Sequence, residues 1–154
     1  MKVRILKTTE PLQLHHSWPL FERERRFNLG RLFDPTGLGF VAANDGPELA
    51  WRGLGRWECD LADNALTWSA GVYDIFGLPR DARVTRDETV VFYAEESRAA
   101  MERLRAYAIL HKRGFTLEAL IIPARGVRRW MRLTAAPICD GDSVVRLHGL
   151  KQIL

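Results

Sequence analysis

Polar and apolar residues alternate along Arg56-Trp57-Glu58-Cys59-Asp60-Leu61 and again along Ala65-Leu66-Thr67-Trp68, with Asp63-Asn64 between them. A period of two puts every second side chain on one face, so the spacing predicts two strands joined by a tight turn. The period then lengthens. Ala70 to Phe76 predicts a short helix, with Ser69 placed to cap its start and Gly77 and Pro79 to end it. Thr85 to Phe92 predicts another short helix, despite its β-branched residues. Glu95 to Lys112 carries the strongest helical pattern. Met101, Leu104 and Ala108 fall on one stripe there, Tyr107 lies beside it, and Gly114 is the expected stop. Three further strands are predicted over Phe115 to Ile122, Val127 to Ile138 and Ser143 to Ile153. The turns Ala124-Arg125-Gly126 and Asp140-Gly141-Asp142 are short enough to make them an antiparallel meander.

The order of elements predicts an α+β fold, a five-stranded antiparallel sheet with its helices on one face. Phe115, Leu117, Ala119, Ile121, Met131, Leu133, Ala135, Val145, Leu147 and Gly149 share the face expected beneath the helices. The opposite face is mixed: Thr116, Glu118, Leu120 and Ile122; Arg128, Trp130, Arg132 and Thr134; Val144, Arg146, His148 and Leu150. Leu120, Ile122, Trp130 and Leu150 give it too much apolar surface to stand free in water, so a cover is expected. Candidates are the N-terminal segment, a second copy of the chain or another protein. Glu118, Arg132, Arg146 and His148 can form cross-strand ion pairs on that face.

Ahead of Gly53 the pattern is irregular, and the chain divides into residues 1–52, an N-terminal extension that is irregular or helical, and residues 53–154. In the extension, Ser17 and Pro19 predict the start of a helix over Leu20 to Leu32, weakened at Gly30. Asp34-Pro35-Thr36-Gly37 and Asp45-Gly46-Pro47 read as turns, and Pro47 to Arg52 as one helical turn. Gly37-Leu38-Gly39-Phe40-Val41-Ala42 has the spacing of a dinucleotide loop but lacks the strand before and the helix after that such a loop needs.

The segment from Gly55 to Pro79 resembles the opening of a PAS domain, the small sensor module of bacterial signalling proteins: a Trp-x-x-Asp-Leu strand, a turn, a strand ending in Trp-Ser, and a short helix closed by Gly and Pro. Later segments agree. Tyr93-Ala94-Glu95-Glu96-Ser97-Arg98 looks like the family's His-Pro-acidic opening of its long helix, with Tyr93 and Ala94 in the His and Pro positions. Gly114 to Glu118 is similar to its Gly-x-x-x-Glu strand, Gly126 to Trp130 to its Gly-x-x-Arg-Trp hairpin, and Leu147 to Gln152 to its last strand. The resemblance covers about two-thirds of the chain and implies sensing or protein pairing, with residues 53–154 as the sensor domain. Family members usually continue through Asp-Ile-Thr into a signalling helix. Here Ile153 and Leu154 follow Gln152, so a stand-alone module is expected, working through an unknown signalling partner or through its N-terminal segment.

Composition narrows the classes. At 154 residues, with 47% hydrophobic and 27% charged residues, the chain suits one globular domain rather than a disordered one. No apolar run approaches the roughly 20 residues that span a bilayer, and no secretory leader is present, so a cytoplasmic protein is expected. Net charge is +4, spread through the chain with acidic residues interleaved. No nucleic-acid motif accompanies it, so a nucleic-acid partner is not expected. Cys59 and Cys139 are far apart, in no metal-ligand cluster, and are expected to be reduced thiols; no metal site is predicted.

Tyr73, Phe76, Phe92, Arg105, Tyr107, Leu117, Leu133 and Leu147 are the candidate lining of a ligand cavity between helices and sheet, with a filled core as the alternative. For His111 the choices are a cap on a helix C-terminus, which is preferred, or the axial ligand that haem-binding PAS domains present from their long helix. Cysteine-adduct flavin photochemistry is not expected, because neither cysteine lies on the helices. Non-covalent flavin stays open. No cofactor is the first expectation. No nucleophile, base or metal cluster is assembled, so catalysis is not expected and no catalytic residue is assigned. The rival is a small α+β enzyme that uses Tyr107 or Arg105 in the same pocket. The preferred reading is a sensory or adaptor domain, paired as a homodimer through the outer sheet face by Leu120, Ile122, Trp130 and Leu150.

Overall fold

The computed structural model of the protein describes residues 15–26, 31–33, 40–42, 50 and 52–154. Strand β1 (His15–Pro19) runs into a 3-10 turn (Leu20–Glu22) and a short helix α1 (Arg23–Arg26). Strands β2 (Arg31–Phe33) and β3 (Phe40–Ala42) form a separate two-stranded ribbon. Then come β4 (Leu54–Asp60), β5 (Leu66–Trp68), helix α2 (Ala70–Phe76), helix α3 (Arg86–Thr89) with a 3-10 turn (Val90–Phe92), the long helix α4 (Glu95–His111), and β6 (Arg113–Ile121), β7 (Arg129–Asp140) and β8 (Ser143–Ile153). The main sheet is antiparallel throughout, in the order β1-β6-β7-β8-β4-β5.

The α+β architecture is therefore as expected, but the sheet has six strands rather than five. The extra strand comes from the extension. His15–Pro19 pairs along the open edge of β6, Trp18 opposite Gly114. Pairing satisfies backbone groups that would otherwise line a bare edge. This corrects the helix predicted over Leu20 to Leu32 with Ser17 as its cap. Ser17 is a strand residue whose hydroxyl accepts from Arg113 Nε at 2.9 Å, the described helix there is Arg23–Arg26, and Arg31–Phe33 is strand. The turns expected at 34–37 and 45–47 lie outside the described residues.

Two other local readings are corrected. Ser69 sits at the N-cap of α2, yet its hydroxyl accepts from the Arg56 N–H on β4 at 2.8 Å instead of capping the helix. The long helix ends before Gly114, with Lys112 taking the left-handed cap conformation at φ 54°. Gly114 has a different task. A methyl group there would lie 2.1 Å from the Trp18 ring, so only glycine leaves the indole its seat. Gly114→Ala is expected to lower stability by ~1–3 kcal/mol through overpacking, read as a lower denaturant midpoint. An unchanged midpoint would mean that the indole can sit elsewhere.

The core lies between the sheet and α2 to α4. Phe115, Leu117, Ala119, Ile121, Met131, Leu133, Ala135 and Leu147 are all buried in it, with Trp57, Trp68, Phe76 and Met101. One residue of the predicted inner row changes. Val144, not Val145, packs against the core, beside the register irregularity at Ile138/Cys139. On the outer face Trp18 is fully buried over Ala136, with Leu20 and Leu150 packed against the pair. Its Nε1 donates to Thr116 Oγ1 at 3.1 Å. Arg132 pairs with Glu118 directly across β6–β7 at 2.7 Å, and Arg146 with Glu58 at 3.1 Å.

A donor-rich cavity between helices and sheet

Alternation along β8 dictates the site. Leu147, Gly149 and Lys151 share one face by parity, and Leu147 faces the core. A lysine is thereby forced under the helices, where it is 7% exposed. Its Nζ donates to Tyr93 Oη at 2.9 Å. It lies 4.9 Å from the Phe76 ring centroid, 5.4 Å from Trp57, 5.5 Å from Tyr93 and 5.8 Å from Trp68. The aromatic faces attract the ammonium through their quadrupoles. Trp68 stacks on Phe76 at 5.1 Å, which holds two walls of the box in place.

Beside Lys151 is a cavity of about 50 Å³. From β4 it is lined by Trp57 and Cys59, from α3 and the turn after it by Arg86, Thr89 and Val90, and from α4 by Met101 and Arg105. Tyr93, Leu66, Phe115, Leu133 and Leu147 complete it. Burial pushes the Lys151 ammonium down to about 7, with Arg86 pushing the same way and Cys59 opposing. Burial raises the Tyr93 hydroxyl, so it stays protonated. Burial also raises the Cys59 thiol, with Arg105 opposing.

Of the residues predicted to line a cavity, Arg105, Leu133 and Leu147 do so. Phe76 and Leu117 are buried in the surrounding core, and Phe92 packs against it. Tyr73 spends its hydroxyl on the Ala82 carbonyl at 2.8 Å. Tyr107 is 47% exposed, because it is one position off the Ala100–Leu104–Ala108 stripe and about 100° round the helix. His111 is exposed too, its ring against Tyr107 at 4.3 Å. It therefore points away from the cavity and is in no position to ligate a haem there. The space holds only about three or four waters, so these residues fit neither a haem nor a flavin ring system. Lys151, Tyr93, Arg86, Trp57 and Cys59 were missed. Parity along β8 was the available signal for Lys151.

On the outer face, Leu120 lies opposite Trp130. Both are half-buried, and Ile122 is 46% exposed. Leu150 is already engaged within the molecule by Trp18, which removes it from the surface predicted to meet a partner. The N-terminal strand is thus one cover of this face. Among the described residues no helix is long and apolar enough to cross a membrane, and no group of three or more acidic, His or Cys residues is placed to hold a metal.

No protein-family model matches the chain, and no curated protein matches it in sequence. Solved structures do match in shape. The sensor-bearing N-terminal domain of a diguanylate cyclase from Marinobacter aquaeolei superposes with a TM-score of 0.59 at 12% identity, over 65% of this chain and 94% of that one. A sensory box histidine kinase/response regulator from Burkholderia thailandensis gives 0.57 at 16%, over 69% and 80%. An RNA-binding light-oxygen-voltage receptor gives 0.59 at 16%, over 66% of this chain, which spans 29% of that receptor's length. The fold is a PAS fold. The PAS architecture accounts for the layer of short helices and one long helix over an antiparallel sheet, with the cavity between them.

Proposed function

We propose that this protein is a PAS-type sensory or adaptor module of signal transduction, cytoplasmic and without catalytic activity, which couples a small ligand in the cavity to pairing of its outer sheet face. The observation that carries this reading is the position of Lys151. It lies on a strand of the same sheet whose other face presents Leu120 and Trp130, so a change at the ammonium acts on strands that also form the outer surface. The sensory role of proteins with the same fold supports it. Ligand binding would shift the balance between two arrangements of that face, by as much as the ligand prefers one arrangement over the other.

The pairing surface in this reading is Leu120, Ile122 and Trp130, matched to the same patch on a second copy by a two-fold axis. Trp130→Ala is expected to weaken self-association about tenfold or more, as buried aromatic anchors do. Sedimentation equilibrium over a range of protein concentrations reads it. A concentration-independent monomer that Trp130→Ala leaves unchanged would overturn the pairing half of the proposal.

A further inference from the structure

We propose that the cavity is built for a short aliphatic monocarboxylate of about two or three carbons, its carboxylate held by Lys151 and Trp57 and its alkyl end by the apolar wall. This deepens the sensory reading of the same site and rests on it.

The argument is a count of donors against acceptors. Lys151 has three N–H bonds to give and uses one on Tyr93 Oη. Trp57 Nε1 is buried and finds no acceptor among the described residues. Arg105 offers its guanidinium, of which Nη2 meets Asn64 Oδ1 at 3.2 Å. Arg86 is the third cation, its Nη2 on Glu102. No carboxylate lines the cavity. Three cations therefore converge on a largely buried space, and the acid that reaches one of them, Glu102, is bound to Arg86. A buried ammonium and a buried indole N–H both lose their water on folding, so both favour an acceptor that carries charge.

The remaining wall decides between an inorganic oxyanion and an organic acid. Val90, Met101, Phe115, Leu133 and Leu147 offer no hydrogen bond to a second or third oxygen. A tetrahedral oxyanion has no carbon to set against that apolar wall. A carboxylate with a short alkyl chain puts its two oxygens on the donors and its carbons on the aliphatic side chains. The volume sets the length, with room for about four or five heavy atoms.

Binding must also depend on pH. The groups around Lys151 are Cys59 from β4, Arg86 and its partner Glu102 from α3 and α4, Arg105 from α4, and Tyr93. The lysine changes charge between pH 6.5 and 8.5. The anion therefore binds the protonated form and takes up a proton where the lysine was neutral.

The test is a titration of the full chain with sodium propionate, and separately with propionamide and with sodium phosphate. It is read by the ¹⁵N–¹H signal of the Trp57 indole, which Trp57→Phe assigns. We expect a saturable propionate shift at pH 6.5 that weakens about tenfold or more by pH 8.5. Propionamide and phosphate are expected to bind at least tenfold more weakly. Lys151→Met, with its other indole signals unchanged as proof of folding, is expected to lose propionate binding. Equal binding of propionamide would overturn the anionic class while leaving a ligand-sensing cavity intact. Tighter binding of phosphate would replace the organic acid by an oxyanion. No saturable shift with any of the three would overturn the proposal, and the sedimentation experiment on Trp130→Ala would still judge the sensory reading by itself.

Discussion

Replacing Trp18 by alanine is expected to lower stability by ~3–5 kcal/mol, the range for large aromatic truncations in a packed interior. The side chain is completely buried, although it comes from a strand at the sheet's edge. It fills the space over Gly114 that any larger residue would take. Its indole N–H is satisfied by Thr116, and Arg26 stands over its ring at 5.7 Å. Alanine would leave a cavity, an unpaired Thr116 hydroxyl and a strand held to β6 by its backbone bonds and the Arg113–Ser17 contact. Trp18→Phe keeps most of the apolar contact and is expected to lose only about 1 kcal/mol, the worth of one hydrogen bond. Urea unfolding reads the difference directly. Hydrogen exchange of the β6 amides, whose edge β1 covers, locates it. A loss under about 1 kcal/mol for Trp18→Ala would show that the N-terminal strand docks on the domain without being part of its cooperative unit. The expected value, out of a total of roughly 5–15 kcal/mol, makes the strand a structural member of the sheet.

The contrast between β1 and the rest of the sheet shows what was legible in the sequence. β6, β7 and β8 are long, carry core residues at every second position over most of their length and are joined by short turns, so local information fixes their pairing and most of their faces, with Val144 departing beside the register shift at Ile138/Cys139. The buried row from Phe115 to Leu133 follows from that. His15–Pro19 carries no such pattern over its five residues. It becomes a strand because β6 offers an open edge and Gly114 offers a socket, and both are about 98 residues away along the chain. A Ser-x-Pro sequence is a sound helix-start signal until such a partner competes for it. The site divides in the same way. Leu133 and Leu147 were readable because apolar residues alternate. Lys151 obeys the same alternation, but a charged residue is seldom fully buried, and expectation of a solvated lysine hid it. Tyr107 errs in the other direction, since an aromatic next to a helical stripe is not in the stripe. The aromatic box depends on five segments meeting in space, which no spacing in the sequence encodes.

Lys151→Met is expected to raise stability at neutral pH and to remove a pH dependence expected of the unmodified protein. An ordinary lysine titrates at 10.5, whereas the folded protein releases this proton at about 7. Between those values the unfolded chain holds more protons than the folded one, so stability rises as pH rises and is lost as pH falls through 7. The whole interval corresponds to roughly 5 kcal/mol, at ~1.4 kcal/mol per pH unit. Above pH 9 the sign mixes. The Cys59 thiol, raised by burial from 9.0, keeps its proton in the folded state while the unfolded chain loses it, which lowers stability there. The clean window is therefore pH 7 to 9, where a gain of about 2 kcal/mol is expected. Methionine has nearly the length of lysine, carries no charge to desolvate, and makes favourable sulfur contacts with the four rings. Urea unfolding at pH 7, 8 and 9, in buffers free of carboxylates and phosphate, should give a rising series for the unmodified protein and a flat, higher one for the variant. Parallel series would mean that the ammonium reaches water in the folded state. The cavity would then be a solvent channel, and the donors around it would have no unmet need for an anion. A group that lowers stability at neutral pH, and that a hydrophobic isostere would relieve, is better accounted for by a ligand it holds than by the fold it sits in.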